Sequence, residues 1–159
     1  MTFPRWPTII SLALVCVVAH SLKAQEPSAP IAVAGSLTYT VVFADSLGLS
    51  HFADHQIEFG LVDFAPPAPP ISVSGVTEAD GLVFISSPAG WFGDWHPAPR
   101  RQLIFCLSGT MEVEVSDGEV RRFGPGAVIL VEDTSGQGHI THIVGEDRAY
   151  LVAVPILEP

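Results

Sequence analysis

The chain has 159 residues, with 17 acidic side chains against 7 lysines and arginines and a formal charge of −10. That length is one domain, and that charge repels nucleic acid and anionic lipid, which excludes partners of either kind. With 2 cysteines in all the sequence has no disulfide framework to lean on, so an apolar core or oligomerisation must stabilise it.

Residues 1–24 open with a single charge, Arg5, run through the apolar stretch Thr8 to Ala19, and turn more polar from His20 to the small residue Ala24. That order is a secretory signal peptide with its cut after Ala24. The apolar run is shorter than the roughly 20 residues of a membrane span, so an uncleaved anchor is the lesser reading. The expectation is an exported protein, periplasmic or extracellular, with no stable membrane association after cleavage. Cys16 leaves with the signal and Cys106 remains alone.

Residues 25–70 read as an N-terminal lead-in, the first strands and a proline-rich link. Gln25 to Gly35 is small residues and proline, a mobile lead-in. Leu37 to Phe43 (LTYTVVF) is β-branched and aromatic, and Gln56 to Phe64 mixes apolar and acidic positions. Pro66 to Pro70 (PPAPP) cannot pair inside a sheet. Residues 71–159 read as the core of the domain. Strand signals recur at Leu82 to Ile85, Arg101 to Leu107, Met111 to Val115, Glu119 to Phe123, Val128 to Val131, His139 to Val144 and Ala149 to Val154. Between them lie Ser108-Gly109, Asp117-Gly118, Gly124-Pro125-Gly126, Ser135-Gly136 and Gly145-Glu146, which is turn chemistry. Asp117-Gly118 predicts a hairpin. No helical repeat follows the signal, so the fold class is all-β, a sandwich or barrel.

Gly90, His96, Ala98, Gln102 and Gly109 have a spacing that resembles the first motif of the cupin family, Gly-x5-His-x-His-x3,4-Glu-x6-Gly. Thr134, Gly136, His139 and Ile143 are similarly placed to the second motif, Pro-x-Gly-x2-His-x3-Asn. The resemblance spans Gly90 to Pro155. It implies a cupin-type jelly-roll β-barrel of six to eight strands, with an N-terminal arm of the kind that often pairs with a second subunit in a homodimer. It also implies a divalent metal held inside the barrel by three His and one Glu. Carried over by residue, His96 and His139 are ligands, Gln102 offers a neutral oxygen at the Glu position, and Ala98 offers nothing. Such donors suit Zn, Fe, Mn, Ni or Cu. The competing reading is a vestigial pocket whose polar residues bond one another or water.

Strand parity adds an independent expectation. Gln102, Ile104 and Cys106 share a face, as do His139, Thr141 and Ile143, so His139 faces inward and His142 outward. Trp91, Trp95, Asp94 and Arg100 are candidates for a substrate pocket: the rings as walls, Asp94 as an acceptor or base, and Arg100 beside Arg101 as a carboxylate clamp. The plainer alternative for each is rim packing or a solvated surface. His51 and His55 are four apart but lack the Glu of a zinc-protease motif. The function expected is an exported cupin acting on a small molecule at a metal-assisted site, as lyase, isomerase, cyclase or oxygenase. The alternative is a non-catalytic barrel that binds a small ligand without metal.

Overall fold

Two-residue periodicity builds the core. In Thr110–Val115, Met111, Val113 and Val115 are buried while Glu112 and Glu114 are more open, the pattern of a strand with one face in a core. The computed structural model describes residues 33–157, which form eleven strands and no helix. The expected signal peptide lies outside the described residues.

The strands are β1 (Val33–Ala44), β2 (Ser50–Val62), β3 (Ile71–Val73), β4 (Val83–Ser87), β5 (Phe92–His96), β6 (Gln102–Ser108), β7 (Thr110–Val115), β8 (Val120–Phe123), β9 (Val128–Val131), β10 (His139–Val144) and β11 (Ala149–Pro155). They make a seven-stranded sheet in the order β3-β2-β1-β9-β6-β11-β4 and a four-stranded sheet in the order β5-β10-β7-β8. The all-β jelly-roll expected from the sequence is thus present, with more strands than the six to eight expected. Pairing is antiparallel except between β1 and β9, where Thr40 to Val42 run parallel to Ile129 to Val131.

The core lies between the sheets. Val42, Cys106, Ile129, Val131 and Leu151 come from the large sheet, and Met111, Val113, Val115 and Ile143 from the small one. Cys106 is a free thiol that burial pushes up from its ordinary pKa, which keeps it protonated and inert.

The first strands are integral to the large sheet: β1 pairs with both β2 and β9 and buries Val41 and Val42. The PPAPP link is the loop of a hairpin in which Gly60 to Val62 pair with Ile71 to Val73. The hairpin expected at Asp117-Gly118 joins β7 and β8, with Gly118 at φ 93°, a conformation that glycine adopts without strain.

Candidate functional site

His96 ends β5 and His139 begins β10, and antiparallel pairing sets the two opposite each other. Their ring centroids are 4.7 Å apart. Both line a cavity of about 160 Å³ between the sheets. Gln102, the first residue of β6, lines it too, facing across from Val131 and Pro155 in register. Ser87, Trp91 and Thr141 add polar edges, while Ile85, Ile104, Val113, Ile129, Ile143 and Leu151 make apolar walls. Among the described residues, no acidic or basic side chain other than the two histidines lines the cavity.

Each histidine is oriented through Nδ1. His96 Nδ1 donates to the Asp94 carbonyl at 2.6 Å. His139 Nδ1 donates to Asp133 Oδ2 at 2.7 Å. A neutral imidazole that donates through Nδ1 keeps a lone pair on Nε2, and neither Nε2 has a hydrogen-bond partner among the described residues. The cavity lining therefore brings together two imidazoles and the amide of Gln102. Among the described residues no group of three or more His, Cys, Asp or Glu is placed to hold a metal ion.

Asp133 carries no sequence motif and was not expected. It follows β9, is 0% exposed, and its Oδ1 has no partner. Parity was the signal for it: Ile129 and Val131 point into the core, and Asp133 continues that alternation past the end of the strand.

The structure separates the expected pocket residues. Trp91 lines the cavity; Asp94, Trp95 and Arg100 do not. For Asp94, which shares parity with His96, the cause is a bulge in β5, where His139 pairs with His96 but Thr141 pairs with Gly93, so Asp94 and Trp95 together oppose Ile140. An extra residue in a strand breaks the alternation and turns side chains out. The Asp94 side chain is exposed and accepts from the Trp95 N–H at 2.8 Å. Arg100 lies on a separate depression with Asp80 and Thr134, and Arg101 is paired with Glu132 at 2.9 Å. His142 is turned away from the cavity, and its ring meets Phe92 edge-on.

His55 is exposed beside Tyr39. His51 bridges two turns: Nδ1 is 2.7 Å from Asp117 Oδ2 and Nε2 is 3.2 Å from Asp45 Oδ2. Hydrogen bonding to Asp117, then to Asp45, raises the imidazole pKa above its ordinary 6.5.

No family model and no curated protein matches the chain. Similar solved structures include a cupin 2 conserved barrel domain protein from Salinispora arenicola CNS-205, 18% identical over 62% of this chain and 73% of that one, with a TM-score of 0.41. The conserved SPY1581 protein of unknown function from Streptococcus pyogenes is 24% identical over 54% of this chain and 72% of its own, with a TM-score of 0.38. The Cnp3 cupin domain of Schizosaccharomyces pombe is 15% identical over 76% of this chain and 87% of its own, with a TM-score of 0.37.

Proposed function

We propose that the barrel interior takes up a small, mostly apolar molecule beside a divalent transition metal held by His96 and His139, with the Gln102 carbonyl as a third, neutral donor. The observation that supports this most is the cross-strand pair of imidazoles, 4.7 Å between ring centres, each with Nδ1 engaged and Nε2 left over. Ligating histidines are held this way, with the second ring nitrogen bonded to a carbonyl or carboxylate. Imidazole suits Zn, Fe, Cu and Ni. A neutral amide where a carboxylate would stand lowers the affinity and leaves positions open.

A bound ion would supply Lewis acidity, polarising a substrate oxygen or activating water. The chain's own residues do the rest. Ile85, Ile104, Val113 and Leu151 hold the apolar body of the molecule and keep water out. The Ser87 and Thr141 hydroxyls can each donate or accept one hydrogen bond to its polar group. Such a site serves a lyase, isomerase, cyclase or oxygenase. In the same reading the protein is exported to the periplasm or beyond and works as a homodimer, which N-terminal sequencing of the secreted form and its mass in solution would test.

The deciding experiment is metal analysis of the purified protein beside His96→Ala, after reconstitution with Zn, Mn, Fe, Ni and Cu. Near-stoichiometric metal that is lost in the variant supports the reading; no metal in either overturns it. The uncharged, largely apolar lining favours a second reading, a ligand-binding barrel without catalysis. That reading gains if metal is absent and the cavity still binds small apolar ligands.

A further inference from the structure

We infer that Asp133 is the positioning residue of this site and supplies from behind His139 the negative charge that Gln102 does not supply in front; the inference rests on the metal reading above. Three observations meet here. First, Asp133 is fully buried, and its only side-chain partner among the described residues is His139. Burying a carboxylate is costly unless it is compensated by a positive partner or hydrogen bonds. None of the five arginines in the described residues compensates it. Arg101, Arg121 and Arg122 are paired with other acids, Arg148 donates to Ser86, and Arg100 is exposed on another depression.

Second, among the described residues the cavity lining holds no carboxylate, and at the position where the cupin resemblance implies one stands the amide of Gln102. Asp133 is therefore the one acidic side chain bonded to a candidate ligand of the site. Third, Asp133 is tied to both halves of the constellation. Its side chain accepts from His139, and its carbonyl accepts the Ala98 N–H at 3.1 Å, two residues past His96.

The chemistry follows from the acceptor. The 2.7 Å contact with Asp133 Oδ2 engages Nδ1 of His139, and a ring that donates through Nδ1 keeps its lone pair on Nε2. The same bond makes the ring a better donor. A divalent cation on Nε2 would in turn give the buried carboxylate the positive partner it lacks. Charge moved from the first ring of ligands to the residue behind one of them keeps the cavity wall neutral while preserving attraction for a cation.

The test uses the full chain, with Co²⁺ and Zn²⁺ as probes. Binding is followed by calorimetry and by the visible Co²⁺ spectrum in the wild type, Asp133→Asn, Gln102→Glu and the double variant. Asp133→Asn is expected to weaken binding about 10–100-fold, and Gln102→Glu is expected to restore it in the double variant by returning the charge to the front. A purely structural role for Asp133 predicts that Gln102→Glu raises affinity by the same factor in both backgrounds, whereas charge compensation predicts a larger factor in the Asp133→Asn background. If the wild type binds neither ion, the metal reading falls and takes this inference with it. If the wild type binds and Asp133→Asn binds as tightly, or the folded double variant shows no recovery, this inference alone falls. Nitrogen-15 NMR of the wild type needs no variant to fold: His139 is expected with its proton on Nδ1 and with Nε2 shifting on addition of Zn²⁺. A proton on Nε2 in the free protein would overturn the assignment.

Discussion

Gly138 lies so close to His96 that a Cβ on the glycine would overlap the His96 carbonyl group and the nitrogen of Pro97. Its φ of 75° is also one that other residues adopt with strain. The residue before His139 thus sets how near β10 can come to the other histidine. Gly138→Ala is expected to destabilise the fold by at least about 1 kcal/mol and to lower metal retention with it. Thermal melting and metal stoichiometry on the same sample check this; a variant equal to wild type in both would show that the contact is slack.

The histidines divide by strand face. His96→Ala, His139→Ala and Gln102→Ala are each expected to reduce metal occupancy, because all three line the cavity. His142→Ala, whose ring lies against Phe92, is expected to leave occupancy unchanged. Loss with His142→Ala and none with His139→Ala would mean that β10 presents its other face to the cavity.

The pH response follows His51. Its pKa is raised by hydrogen bonds to Asp117 and Asp45. The stability it contributes is full below its unfolded value of about 6.5 and is lost as pH rises through the raised value. Asp45 and Asp117 have lowered pKa values, chiefly because they accept the Leu49 and Glu119 N–H groups. Their contribution is present above the ordinary carboxylate range and is lost on acidification through the lowered values. Melting temperature against pH is expected to fall on the alkaline side more in wild type than in His51→Gln. Parallel curves there would remove His51 as the cause.

Ser50 is a small hub. Fully buried, its Oγ donates to the Gly138 carbonyl at 2.6 Å and accepts the Ser116 N–H at 2.7 Å. Ser50→Ala strands both groups and is expected to cost about 1–3 kcal/mol, read from urea unfolding. A loss well under that range would mean that water replaces the hydroxyl.

What the sequence made legible was what alternation encodes. Met111, Val113 and Val115 among glutamates announced β7, and parity alone separated His139 from His142. The bulge at Asp94 and Trp95 was not legible, because one inserted residue flips the face without changing composition. Nor was β3, only Ile71–Val73, which leaves too few residues for a period to show. Parity past the end of β9 pointed Asp133 inward, but its pairing with His139 was not legible, because that contact is made through a loop turned at Gly136 and Gly138.

The parallel pairing of β1 with β9 sets a folding order. Thr40 to Val42 emerge early in the chain and wait for Ile129 to Val131, which arrive when most of the domain has already been made. Until then the β1–β2 hairpin has an open edge at Val41 and Val42, and an open apolar edge invites pairing with other chains. Closure of so distant a contact is slow, on the order of milliseconds to seconds for domains dominated by non-local pairing. The interval between release of β1 and docking of β9 is therefore one in which this edge is open to pairing with other chains.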